Sequence, residues 1–228
     1  STGCFQCGSL VCYADDSTYF TSDPDPQNLS RKLGEKYSRL AKFLGANRLK
    51  VNDDKTHTLV LTTSQLRRKR ANMNILVEIG GEQYEPSEVE RLLGAQVHMN
   101  MKWGEMIQSN DKSLIKALVT RTNALSKIAK VADFRTMKMI GNGFWLSKLI
   151  YMISAWGGTE EYLLTALQRL QNKAARIICK RGRGYAAKKA LQNIGWLNVK
   201  SLVDYHSLVQ ARKVLFSQQP VYLYEKLV

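Results

Sequence analysis

In the stretch "SLVCYADDSTYF", residues 9–20, two carboxylates, Asp15 and Asp16, interrupt an otherwise apolar, β-favouring run. Adjacent like charges repel, so unless water screens them they call for a cation, and hard oxygen donors suit Mg²⁺. Nucleotidyl transfer uses such sites: two ions hold the attacking 3′-oxygen and the leaving phosphate oxygen of an in-line displacement. Asp is also a common turn residue, so the pair alone is equally what a solvated hairpin tip looks like.

The elements around the pair are legible. Residues 10–13 and 18–21 are β-favouring, with Ala14 to Ser17 between them, which predicts a hairpin bearing both aspartates at its tip. A helix follows, with Asp25 as cap, Pro26 in its first turn, and Leu29, Leu33, Tyr37, Leu40 and Leu44 at helical spacing; Gly45 is placed to end it. "RLKVNDDKTHTLVLTT" predicts a strand, a polar turn at Asn52 to Asp54, and a strand holding Leu59, Val60 and Leu61. Strand, helix and strand then form one α/β layer. "RRKR" at 67–70 reads as an exposed connector, and "ILVEIGGEQYEP" as a hairpin turning at Gly80 and Gly81.

From Ser109 the pattern is helical, roughly over 110–131, 136–154, 160–180 and 200–217, with the boundary near residue 105. In the third helix Thr159 is the expected cap, Glu160 and Glu161 favour the positive end, and Leu163, Leu167, Leu170, Ala174 and Ile177 form the expected buried stripe. Beside it run Arg169, Lys173, Arg176 and Lys180, continued by Arg181 and Arg183 of "KRGRG". One apolar and one basic stripe let a helix sit on a core while presenting cations to phosphates.

Charge agrees with that division. Residues 1–63 hold eight basic and seven acidic side chains; subtraction from the totals of 34 and 19 leaves 26 basic against 12 acidic, or +14, on residues 64–228. A near-neutral front and a basic back suggest chemistry in the first and a polyanion held by the second. Cys4, Cys7, Cys12 and Cys179 show no disulfide framework, which favours a reducing, intracellular setting, and the C-x-x-C of Cys4 and Cys7 has no second pair at zinc-finger spacing. No apolar run approaches membrane-spanning length. Trp103 and Trp196 suit packing better than base stacking, and His57, His98 and His206 form no ligand spacing.

Tyr13, Ala14, Asp15 and Asp16 spell a Y-x-D-D box that resembles the catalytic motif of reverse transcriptases. "LKVNDDKTHTLVL" resembles the N-x-x-K-T element of the non-LTR (LINE-type) retrotransposon members, with Lys55 forty residues after Asp15. "RLLGAQVHMNMKW" is similar to the hairpin and Trp that lead from palm to thumb, and "LQRLQNKAARIIC" and "IGWLNVKSLVDYHSLVQARKVL" are similar to the thumb and its continuation. The resemblance implies an α+β chain: part of a polymerase palm, hairpins with a packed helix, over residues 1–105, then a mostly helical thumb bundle over 106–228. It implies an RNA-directed DNA polymerase fragment whose partners are an RNA template, a DNA primer and deoxynucleoside triphosphates, with no membrane and a nuclear setting.

By the same resemblance Asp15 is the stronger Mg²⁺ ligand, Asp16 its neighbour, and Tyr13 a support for the primer terminus. Lys55 would assist the leaving pyrophosphate, a role open to any positioned ammonium, although a surface turn lysine looks the same in sequence. Asn52 and Thr56 are expected to shape that turn through side-chain to backbone hydrogen bonds. The family's first catalytic Asp, its fingers and most of its nucleotide pocket are expected in a missing N-terminal part of the same polyprotein. Two other readings stand beside this one: a non-catalytic, nucleic-acid-binding remnant of a retroelement, and a protein-interaction module, against which the +14 of the helical part argues.

Overall fold

The computed structural model describes residues 9–14, 16–50, 52, 55–63, 65, 77–79, 82–109 and 112–228. The predicted elements at Cys4 and Cys7, Asp15, Asp53 and Asp54, "RRKR", and Gly80 and Gly81 fall on positions outside these residues. The chain is mixed α+β and divides into two compact units, Ser1–Arg91 with His98–Met101, and Leu92–Val97 with Lys102–Val228.

In the first unit, β1 (Ser9–Tyr13) and β2 (Asp16–Phe20) pair antiparallel, with Tyr13 opposite Asp16. The second strand thus starts two residues earlier than its β-favouring run suggests. Ala14 sits at φ 53°, the left-handed conformation that a two-residue reversal imposes and that costs a residue with a Cβ. Helix α1 (Pro26–Ala46) begins as the sequence predicts: the Asp25 side chain accepts from the Gln27 N–H at 3.2 Å, and Pro26 occupies the first turn. Asp23 secures the entry, accepting from Asp25 N–H at 2.8 Å and from the Lys32 ammonium, and that ammonium first, then the N–H, holds its carboxyl below the usual range.

Gly45 does not end α1. The chain turns at Asn47, whose amide donates to Phe43 O at 2.8 Å, and at Arg48, φ 59°, with Arg48 N donating to Gly45 O and Leu49 N to Leu44 O. This is the Schellman pattern with an arginine where glycine is preferred. The stripe of Leu29, Leu33, Tyr37, Leu40 and Leu44 is half-buried throughout, and Lys36 stands over the Tyr19 ring of β2 at 5.2 Å.

The expected single layer is replaced by separate hairpins. Among the described residues β3 (Val77–Ile79) pairs only with β4 (Glu82–Tyr84), and β5 (Val89–Leu92) only with β6 (Ala95–His98). The segment holding Leu59, Val60 and Leu61 is not a full strand; it makes one parallel bridge, Leu59 with Ser87, beside the bonds Ser87 N to Thr58 O and Thr62 N to Met99 O. The β5–β6 reversal uses Leu93 at φ 47° and Gly94 at φ 83°, a turn with both central residues left-handed, as tight hairpins favour.

The second unit is helical: α2 (Leu114–Ile128), α3 (Phe134–Ile140), a π-helical stretch (Gly141–Leu146) into α4 (Ser147–Ile150), then α5 (Ile153–Trp156), α6 (Glu161–Ile178), α7 (Ala187–Ile194), α8 (Val199–Ser217) and α9 (Val221–Leu227). The predicted helix over 136–154 is broken at Met152, φ 54°, where Trp156 Nε1 donates to the Tyr151 carbonyl at 2.9 Å and satisfies the freed acceptor. Helices α7 and α9 are additions to the sequence reading.

The core lies between these helices, with Leu118, Leu125, Met137, Trp145, Leu149, Trp156, Leu163, Leu167 and Ile178 fully buried. Trp145 stacks on Trp196 at 5.5 Å between centroids; Trp145 Nε1 donates to Thr122 Oγ1 at 2.8 Å, and Trp196 Nε1 to Asn142 Oδ1 at 2.7 Å. Trp103 packs on the same core, so both tryptophans singled out in the sequence serve packing. Among the described residues, no helix is long and apolar enough to cross a membrane.

Candidate active site and nucleic-acid interface

The β1–β2 register leaves Ala14 and position 15 between the paired Tyr13 and Asp16, so the Y-x-D-D box coincides with the reversal of a tight hairpin. Asp15 lies outside the described residues. Asp16 is exposed at the start of β2, and among the described residues its carboxylate takes no hydrogen bond and no ion pair. Tyr13, 68% exposed, stands opposite it. An exposed carboxylate fits a hard cation in kind. Among the described residues, no group of three His, Cys, Asp or Glu gathers to hold a metal.

Lys55 is exposed in a tight turn: its N–H donates to Asn52 O at 3.1 Å, and the Thr56 hydroxyl donates to the same carbonyl at 2.9 Å. Thr56 therefore shapes the turn as expected, whereas Asn52 contributes its main chain. The histidines stay with their neighbours: His57 Nδ1 is 3.8 Å from Glu90, His98 Nδ1 accepts from Asn100 N–H at 3.1 Å, and His206 lies edge-on to Tyr205.

In the helical unit α6 buries Leu163, Leu167, Gln171, Ala174, Ala175 and Ile178, whereas Leu170 and Ile177 are only half-buried. The seam is rotated from the all-apolar stripe because Gln171 is satisfied inside, donating to Leu197 O at 2.9 Å, next to Gln168, which accepts from Val199 N–H at 2.7 Å. The cap also moves by one residue. Glu160 is the N-cap, and the Thr159 hydroxyl donates to its carboxylate at 2.9 Å instead of accepting from the helix.

Arg169 and Lys173, one turn apart, are exposed on α6 and form no ion pair among the described residues. Arg176 is different: it is half-buried, and its Nε donates to the Tyr185 carbonyl at 2.8 Å, which ties the 180–185 loop to the helix. Lys180 follows the helix at φ 53°, with Lys180 N donating to Ile177 O and Arg181 N to Arg176 O, and its charge adds slightly to the lowering of the Asp133 carboxyl. Arg181 lies over the Tyr185 ring at 5.5 Å, and Tyr185 OH accepts from the Asn193 amide at 3.2 Å. Arg183 is exposed between Gly182 and Gly184, where an added Cβ would meet nothing within 4 Å, so the loop backbone is open to approach. The half-buried Cys179 thiol, pushed up by desolvation and donating to Ala190 O at 3.6 Å, packs against the core.

Two features escaped the sequence reading. Tyr185, which receives both Arg176 and Arg181, carries the faint signal of an aromatic four residues after an arginine. Arg121 lies over the exposed Phe144 ring at 4.7 Å and donates to the Phe144 carbonyl; as the two are 23 positions apart, no local pattern announces the pair. The chain matches no protein-family model, no curated protein and no solved structure.

Proposed function

We propose that the chain is part of an RNA-directed DNA polymerase of the non-LTR retrotransposon type, the first unit contributing the carboxylate hairpin of a palm and the helical unit a thumb that grips the nucleic acid. One observation supports this most: Tyr13 and Asp16 of the Y-x-D-D box pair across a two-stranded hairpin, and the exposed Asp16 carboxylate has no partner among the described residues. Asp15 and Asp16 would hold Mg²⁺ together with a carboxylate from elsewhere in the parent protein, and the ion would supply charge stabilisation at the reacting phosphate. Lys55, exposed on its turn, is free to face an anion. Arg169, Lys173, Arg181 and Arg183 supply phosphate contacts, and the Tyr185 ring, oriented by Asn193, holds Arg181 outward.

Alone, the 228 residues are expected to bind primer and template without extending them, because a two-carboxylate set positions the metals poorly. Mg²⁺-dependent primer extension by the isolated chain would contradict that. The second reading, a nucleic-acid-binding remnant without catalysis, is favoured by the same exposed cations and shares the binding prediction; extension by the parent protein separates the two.

A further inference from the structure

Helix α8 is apolar on two opposite sides. Val199 and Leu202 are buried in the core, Val203 packs against it, in line with a side chain that would meet any Cβ added at Gly157, and Val214 is buried on the same side of the helix. On the other side Leu208 is 70% exposed, with Tyr205, Leu215 and Phe216 also open to solvent. At 100° per residue the two sets are centred roughly 160° apart, so the exposed one is not the edge of the buried one. A helix apolar all round is one with a neighbour on each side; α8 packs on α5, α6 and α9, yet its Tyr205, Leu208, Leu215 and Phe216 stay exposed.

The order of residues on the open side is self-complementary. Reversing the helix about Leu208 places Leu208 on itself, Asp204 on Arg212, and Ser201 on Leu215. Asp204 is exposed and has no ion pair among the described residues, while the Arg212 guanidinium lies 5.2 Å from the ring of Phe216 on the same helix. Within one helix Asp204 and Arg212 are eight residues, or about 12 Å, apart, too far to neutralise each other. A polyanion gains nothing from Leu208 and is repelled by Asp204; a second α8 satisfies both.

We propose that the chain forms a two-fold homodimer through α8, packed antiparallel on the α8 of a second copy with the axis at Leu208. The interface is isologous, so the Asp204 to Arg212 pair occurs twice, and Tyr205 and Leu215 flank the central leucines. The proposal does not depend on the polymerase reading.

Sedimentation equilibrium of the nuclease-treated chain in about 0.5 M salt, where nucleic-acid bridging and net repulsion are both screened, tests it. The expected mass rises with concentration from 25.9 kDa toward twice that. Asp204→Arg and Arg212→Asp should each weaken the dimer by ~30-fold or more, because every reversal creates two like-charge contacts, and the double reversal should return it to within about five-fold of wild type. Leu208→Lys should abolish the dimer while leaving the far-ultraviolet circular dichroism and melting temperature unchanged, because Leu208 is exposed in the single chain. A chain that stays at 25.9 kDa up to about 100 μM overturns the proposal and leaves the face to a different partner. So does an association lost on nuclease treatment, a dimer indifferent to Leu208→Lys, or a double reversal no tighter than the single ones.

Discussion

The clearest quantitative consequence concerns salt. On α6 and in the 180–185 loop, four exposed cations have no acidic partner among the described residues: Arg169, Lys173, Arg181 and Arg183. Lys180 is left out because its charge acts on the Asp133 carboxyl, and Arg176 because it holds the Tyr185 carbonyl. If each of the four meets one phosphate, log K for a nucleic-acid duplex should fall with log salt at a slope of about −3.6, and affinity should drop roughly 150-fold between 50 and 200 mM salt. Replacing Arg169 and Lys173 together by Ala removes two contacts, so the slope should become about −1.8 and the same salt step should weaken binding only about 12-fold. The assay is fluorescence anisotropy on a labelled RNA–DNA hybrid, with thermal melting beside it to show that two exposed substitutions leave the fold intact. A wild-type slope shallower than about −1, or a double variant with an unchanged slope, would refute the assignment of this ridge to phosphates.

Three further outcomes follow from named contacts. Gly157→Ala should destabilise the helical unit by about 2–3 kcal/mol, read as a lower urea midpoint at unchanged slope, because the new Cβ would lie 2.5 Å from Val203 Cγ1 and 2.6 Å from the Ile153 carbonyl oxygen, and main chain cannot swing aside. Ala14→Gly should stabilise the β1–β2 hairpin by roughly 0.5–1 kcal/mol, since Ala14 is held at φ 53°; an equal loss on melting would show that this conformation is not adopted. Asp133→Ala should lower the melting temperature by on the order of a few degrees at neutral pH, because Asp133 caps α3, accepting from Thr136 N–H at 2.8 Å. Its carboxyl is held below the usual range by Thr136, so the contribution is present above the unfolded-state pKa and is lost as pH falls through the lower folded value. The gap between wild type and variant should therefore close below about pH 4, and a gap that persists there would show that the carboxylate is not the cause.

What the sequence made legible is what short-range chemistry controls. Asp25 and Pro26 announce the start of α1 because a cap and a fixed φ act within one turn. The end of α1 was misread because Asn47 and Arg48 complete a Schellman turn with no glycine, leaving Gly45 inside the helix. The break at Met152 has no proline or glycine to mark it; its compensation comes from the Trp156 indole. Gln171 reads as surface by composition and is buried because its partners arrive from Leu197, 26 residues on. The same limit governs the candidate site. The Y-x-D-D box and the basic spacing were visible as types and intervals, but the role of Arg176 as an anchor for the 180–185 loop depends on a carbonyl that only the fold brings to it.

Primer extension on an RNA template tests the central claim most directly, using the longest continuous protein that contains these 228 residues, Mg²⁺ and all four deoxynucleoside triphosphates, with the Asp15→Ala protein alongside. Extension is expected from the longer protein, with a loss of about 10³-fold or more for Asp15→Ala and none from the 228 residues alone. Extension that survives the loss of Asp15, or a longer protein that binds the hybrid and adds no nucleotide, would contradict it.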